Sequence, residues 1–164
     1  MARLAGKVAI VTGGALGIGA AACEMMAREG AAVAVTDVLD DDGQAIAARI
    51  VSAGGTGRFW HLDISDEDEV ERVFSEVAGA FGKLDTVVNN AGIAGANKPT
   101  DEVTAEEWDK VISVNVRGVF FCTKHAVRHL RRAGGGSIVN LSSIYGIVGA
   151  PDLPPTTLRR VPCV

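Results

Sequence analysis

Apolar positions along the chain fall into two alternating patterns: short unbroken runs, and longer stretches with helical spacing. Val8 to Val11 is a continuous apolar run rich in β-branched residues, the pattern of a strand covered on both faces. Four glycines follow, Gly13, Gly14, Gly17 and Gly19, and then an alanine-rich run from Ala20 to Arg28 that favours helix. A second buried strand, Ala32–Thr36, ends at Asp37. Asp40–Asp42 open a helix, because acidic residues suit a helix start, and it runs through Ile46 and Ile50 to Gly54-Gly55. Arg58–Leu62 reads as a third strand ending at Asp63.

Ser65, followed by Asp66, Glu67 and Asp68, is expected to cap the next helix. Its apolar positions Val70, Val73, Phe74, Val77 and Phe81 keep helical spacing, and Gly82 stops it. Leu84–Val88 is a fourth strand that runs straight into Asn89-Asn90-Ala91-Gly92. Pro99 to Thr104 reads as loop, and Thr104 with Glu107 forms a capping box for a helix holding Trp108, Val111 and Ile112. A longer helical stretch covers Val116 to Arg132 and ends at Gly134-Gly135-Gly136. Ser137–Leu141 is a fifth strand leading into Ser142-Ser143.

Strands separated by helical crossovers imply an α/β protein, a parallel sheet with helices on both faces. The expected architecture is a Rossmann-type doubly wound sheet in three α/β/α layers, strand order 3-2-1-4-5. No internal linker, repeat or low-complexity tract interrupts residues 1–153, which read as one domain. The remaining residues, 154–164, read as an irregular tail, since Pro151, Pro154, Pro155 and Pro162 crowd a segment with no apolar period.

Composition narrows the function classes. The chain has 164 residues, enough for one domain with a real core. It is 48% hydrophobic with 20 glycines and only 5% aromatics, which suits an Ala/Val/Gly-rich α/β protein. A formal charge of -4 gives no electrostatic case for nucleic acid or an anionic membrane. Mean hydropathy is +0.23, yet no run approaches the roughly 20 apolar residues that span a bilayer. Val8–Val11 is too short for a signal-peptide core. Cys23, Cys122 and Cys163 lack metal-ligand spacing and read as reduced thiols in a cytoplasmic protein. His61, His125 and His129 share no metal spacing with them either, so no metal site is expected.

The first strand, glycine turn and helix make a phosphate site: glycines let the backbone approach closely, and the helix start supplies free N–H groups and partial positive charge. Asp37 lies 18 residues beyond Gly19, close to the spacing at which a carboxylate meets adenosine ribose hydroxyls. No Arg or Lys stands beside Asp37 or inside the glycine turn, and a carboxylate there repels a 2′-phosphate. NAD is therefore expected over NADP.

Four motifs now stand in order: Thr12-Gly13-x-x-x-Gly17-Ile18-Gly19, Asn89-Asn90-Ala91-Gly92, Asn115 within S-V-N-V-R-G, and Ser142-Ser143 after I-V-N-L. Together they resemble the short-chain dehydrogenase/reductase family over roughly residues 3 to 153. The resemblance implies that Gly13, Gly17 and Gly19 line the pyrophosphate, with Leu16 and Ile18 of the same turn in contact with the cofactor. Asp37 would bind the ribose, and Asp63 with Ile64 would edge the adenine. Asn89, Ala91 and Gly92 would support the nicotinamide ribose and the central sheet. Asn115 resembles the helix-kink asparagine that holds a water in the proton relay, and Ser143 the residue that hydrogen-bonds the substrate oxygen; Ser142 would be structural. The implied activity is hydride transfer between nicotinamide and a secondary alcohol or ketone. The implied partners are a small-molecule substrate and a second copy, paired through the 104–132 helices.

The family's acid/base tyrosine should fall at position 156 and its pKa-lowering lysine at 160, where this chain has Thr156 and Arg160. The only tyrosine, Tyr145, has no lysine four positions on and reads as a pocket or packing residue. The segment P-P-T-T-L-R-R-V-P-C-V can be encoded so that the same bases in a shifted frame read A-Y-N-A-S-K-G-A-V-R. That frame restores a tyrosine at 156 and a lysine at 160. The tail from about Pro154 is thus expected to be a frameshift product on a truncated family member. The alternative function is a catalytically inactive NAD-binding fragment.

Overall fold

A computed structural model of the protein describes residues 2–143. Tyr145, Thr156, Arg160, Cys163 and the expected tail lie outside the described residues. The elements alternate as the apolar pattern predicts: β1 Val8–Thr12, α1 Gly17–Arg28, β2 Ala32–Asp37, α2 Asp40–Ser52, β3 Thr56–His61, α3 Glu67–Phe81 and β4 Thr86–Asn89. A 3-10 turn at Thr100–Glu102, α4 Ala105–Ile112, a π turn at Ser113–Gly118, α5 Val119–Arg132 and β5 Ser137–Asn140 complete them.

All five strands run parallel in the order β3-β2-β1-β4-β5, the expected Rossmann-type order. Every residue of β1 is buried, which explains its unbroken apolar run: one face packs on α3 and α5, the other on α1 and α2. On the first face Val8, Ile10 and Ala34 meet Trp60, Val73, Phe74, Val77 and Phe121. On the second Val11, Val33 and Val35 meet Cys23, Ala27, Ile46 and Ile50. In α3, Val70, Val73, Phe74 and Val77 are the buried stripe that the spacing predicts. Burial pushes the thiols of Cys23 and Cys122 up to about 12, so neither is a ready nucleophile.

Several boundaries differ from the sequence reading, each for a tertiary reason. α1 begins at Gly17 rather than Ala20, because a glycine with φ of 55° turns the chain into the helix. β3 and β4 are shifted to pair with their neighbours' ladders, over Thr56–His61 and Thr86–Asn89. The cap of α3 is Asp66, whose carboxylate accepts from the N–H groups of Asp68 and Glu69. Ser65 instead donates to Asp63. The Thr104–Glu107 capping box forms as expected. The stretch read as a separate helix from Val116 continues α4 through the π turn.

At the amino edge of the sheet, Asp85 ties three strands together. Its carboxylate accepts from the Val8 N–H at 2.9 Å and pairs with Lys7 and Lys83, while its carbonyl accepts from the Ser137 N–H. Burial alone raises the Asp85 pKa, but the bonds from Lys83, Val8 and Lys7 outweigh it and hold it below the ordinary carboxylate value. A carboxyl with a lowered folded-state pKa contributes stability above its unfolded value of about 4, and that stability is lost as pH falls through the folded value. Thermal melts of wild type and Asp85→Asn should therefore differ at pH 7 and converge toward pH 3; a gap independent of pH would refute this.

Candidate functional site

The carboxyl ends of β1, β2 and β4 meet where the strand order reverses, the place where open α/β sheets bind ligands. Thr12 closes β1, and its buried hydroxyl donates to the Val88 carbonyl at 3.4 Å. The same oxygen accepts from the N–H groups of Asn90 and Ala91, each at 3.0 Å. Asn90 answers with its side-chain amide, which donates to the carbonyls of Thr12 at 2.9 Å and Gly13 at 2.8 Å. The turn after β1 is thereby stapled to the turn after β4.

The helix start fits an anion. A Cβ on Gly19 would collide with the Gly13 carbonyl oxygen and the Asn90 amide nitrogen, so α1 can seat against the turn only with glycine there. Gly17 takes a positive φ, and no described residue lies within 4 Å of where its side chain would project. The N-cap is Leu16, which makes no side-chain cap, no acid stands in the first turn, and among the described residues no side chain accepts from its N–H groups. The donors and the positive helix end thus remain available to a diphosphate.

Next to the turn, the two oxygens of Asp37 accept from the N–H groups of Ala15 at 3.0 Å and Leu39 at 3.1 Å. These bonds fix the carboxylate at the end of β2 and leave each oxygen a lone pair for a further donor. The Leu62–Ile64 loop lies alongside, since Leu62 N–H donates to the Asp37 carbonyl. Asp63 lines the cleft, but one of its oxygens is engaged by the N–H and hydroxyl of Ser65 at 2.9 and 2.7 Å.

These pieces enclose a cleft of about 600 Å³. Of the expected cofactor residues, Gly13, Leu16, Ile18, Asp37, Asp63, Ile64, Ala91 and Gly92 line it. Gly17 and Gly19 shape the turn behind it. Asn89 does not line it: this buried side chain donates to Asn140 at 2.7 Å and Thr123 at 3.3 Å, joining β4 to β5 and α5. Leu16 is 58% exposed, Ile18 70%, Val38 51% and Leu39 42%, all on this one cleft. Apolar side chains gathered at a cleft mouth mark a surface that a ligand covers.

Asn115 sits in the π turn, buried, with its side chain bonded reciprocally to the N–H and carbonyl of Ile93, both at 2.9 Å. Its amide is thus committed to positioning the Asn90–Ile93 loop, and the widened turn around it departs from the ordinary i→i−4 ladder. Ser143 follows β5 at the same end of the sheet, where the Leu141 N–H bonds the Asn89 carbonyl at 3.1 Å. The structure therefore brings Asn115 and Ser143 to the same edge as the glycine turn. Thr12 and Asn90 were visible within motifs, but only the fold shows that they staple the cleft. Val38, Leu39, Ile93, Lys110 and Val114 also line it, and no local spacing singles them out.

The profile described as short chain dehydrogenase matches residues 7–155. The chain belongs to the short-chain dehydrogenase family. Among curated relatives, it is 42% identical over 151 residues to a cyclopentanol dehydrogenase from Comamonas sp. (strain NCIMB 9872), covering 92% of this chain and 60% of the relative. It is 48% identical over 154 residues to an NADP-dependent (R)-specific alcohol dehydrogenase from Lentilactobacillus kefiri, again covering 92% of this chain and 60% of the relative. A solved structure of NAD+-bound xylitol dehydrogenase superposes with a TM-score of 0.91 at 31% identity, over 94% of this chain and 59% of that one. The chain spans about 60% of the length of the short-chain dehydrogenases it matches. Among the described residues no helix is long and apolar enough to cross a membrane.

Proposed function

We propose that this chain binds NAD(H) in the cleft between the glycine turn, Asp37 and the Asn90–Ile93 loop. In this reading it forms the cofactor half of an oxidoreductase that interconverts a secondary alcohol and a ketone. The observation that carries the reading is the open, uncapped start of α1 facing a fixed carboxylate across one cleft. Gly13, Gly17 and Gly19 would hold the pyrophosphate with the first-turn N–H groups, and Asp37 the adenosine ribose. Leu62, Ile64 and Val114 supply an apolar wall for adenine, with Asp63 at its edge. Ala91 and Gly92, with Asn89 behind them, would support the nicotinamide ribose. Bound nicotinamide supplies or accepts the hydride at its C4. Ser143 would hold the substrate oxygen by hydrogen bonding. Asn115, through the loop it fixes and the turn it occupies, would position a relay water. The exposed Trp108 on α4, Val116 in the π turn and Phe120 on α5 support pairing of copies through the 104–132 region.

Preference for NAD rests on Asp37. The relatives differ on this point by name, one NADP-dependent and one NAD+-bound, so the residue and not the family must decide it. Asp37→Asn keeps an acceptor for one of the two neighbouring N–H groups and removes the charge. Loss of a charge-assisted ribose bond is worth about 1.5–3 kcal/mol, roughly tenfold or more in affinity. The NAD:NADP preference measured by calorimetry should therefore fall by about tenfold. An unchanged preference would remove Asp37 from the role.

A second reading is favoured by Thr156 and Arg160, which stand where the resemblance places tyrosine and lysine. A threonine hydroxyl is too weak an acid and too short to replace a phenol. In that reading the chain binds NAD without turning it over. Calorimetry with NAD, together with NADH formation from cyclic secondary alcohols, separates the two. Binding with turnover supports the oxidoreductase, binding without turnover supports the second reading, and no binding overturns both.

A further inference from the structure

The cofactor cleft carries two carboxylates, Asp37 and Asp63, and among the described residues only one cation lines it, Lys110. Two clusters of charge elsewhere are already bridged. Glu67 and Glu71 are bridged to Lys124, His125 and Arg128, and Glu24 to Arg28 and Arg49. Lys110 is different: it lies on α4, exposed at the cleft, and its ammonium has no ion-pair or hydrogen-bond partner among the described residues. Val114, one helical turn later, lines the same wall, as side chains at i and i+4 share a face. The Leu62–Ile64 loop closes on that turn so tightly that a Cβ at Gly118 would meet the Ile64 side chain. Lys110 and Val114 therefore share a cleft wall with the Leu62–Ile64 loop.

We propose that Lys110 is a cofactor-binding residue that recognises the adenine ring, its ammonium over the π face or on a ring nitrogen. This rests on the cleft being a dinucleotide site and adds which group is read there. A long flexible lysine suits the place: its apolar stem can lie along a wall that Val114 shares while its charge stays in solvent at the mouth. The cation also offsets the field of Asp37 and Asp63, which otherwise opposes entry of a diphosphate.

The test uses the full 164-residue chain and NADH fluorescence titration, with NMNH, which lacks the adenosine half, as the control ligand. An exposed cation–π or charge contact predicts that Lys110→Gln weakens NADH about threefold and Lys110→Glu about tenfold, with Lys110→Arg close to wild type. NMNH affinity should not change, AMP should lose potency as a competitor in parallel with NADH, and raised salt should shrink the Lys110→Glu effect. Equal NADH affinity in all three variants overturns the role of Lys110 while leaving the dinucleotide reading intact. An equal loss for NMNH also overturns it, since the effect is then not on adenine. Failure of the wild-type chain to bind NADH overturns both.

Discussion

Gly19→Ala is expected to weaken cofactor binding about a hundredfold and to lower the melting temperature, whereas Gly17→Ala should leave the fold largely intact. The two glycines share a turn and differ in what surrounds them. At Gly19 an added methyl would meet the Gly13 carbonyl oxygen and the Asn90 side chain, backbone and a hydrogen-bonded amide that have no room to yield. Overpacking of this kind costs about 1–3 kcal/mol. It would also push α1 away from the turn and move the first-turn N–H groups that would meet the diphosphate. Charge-assisted bonds contribute about 1.5–3 kcal/mol each, so losing one or two weakens NADH roughly a hundredfold. At Gly17 space is open, and the cost is that of a left-handed conformation in an L-residue, about 1–2 kcal/mol. Fluorescence titration and thermal melts of both variants measure the contrast. Wild-type NADH affinity in Gly19→Ala would show that the close seating of α1 is not what binds.

The second large effect is expected at Thr12. Valine is nearly the same shape, yet Thr12→Val removes an acceptor for two N–H groups, those of Asn90 and Ala91. Thr12 is 1% exposed and Asn90 9%, so water cannot easily replace it. A buried donor left without a partner costs about 1–3 kcal/mol, which predicts a loss of about 2–4 kcal/mol for the pair. For a chain of this size that corresponds to a drop of about 10 °C in melting temperature. Thr12→Ser keeps the hydroxyl and should recover most of it. A Thr12→Val protein as stable as Thr12→Ser would show that the hydroxyl network contributes little.

Local chemistry made much of the architecture legible. The unbroken run Val8–Val11 announced a strand buried on both faces, and alternation with helical segments implied a parallel sheet in the order found. Thr104 and Glu107 are three apart, and the capping box depends on nothing further away. Boundaries were less legible where a partner sets them. β4 runs Thr86–Asn89 because β1 and β5 pair with those residues, and Leu84 and Asp85 precede the ladder. Ser65 and Asp66 are equally good caps by type, and only the engagement of Ser65 by Asp63 leaves the helix to Asp66. The continuity of α4 with α5 was hidden because a π turn at Ser113–Gly118 shifts the apolar phase by a residue.

The sequence by itself determined the glycine turn, the carboxylate at its distance, the order of motifs that marks the short-chain dehydrogenase family, and the Thr156 and Arg160 that depart from it. These are properties of residue type and spacing, which the chain carries before it folds. Tertiary structure alone decided which of those residues face the cleft. It turned Asn89 inward to Asn140 and Thr123, made Asn90 the clamp on the glycine turn, and brought Lys110 from α4 to the cleft wall. Such outcomes depend on side-chain direction across elements that are tens of residues apart, and no local period encodes them.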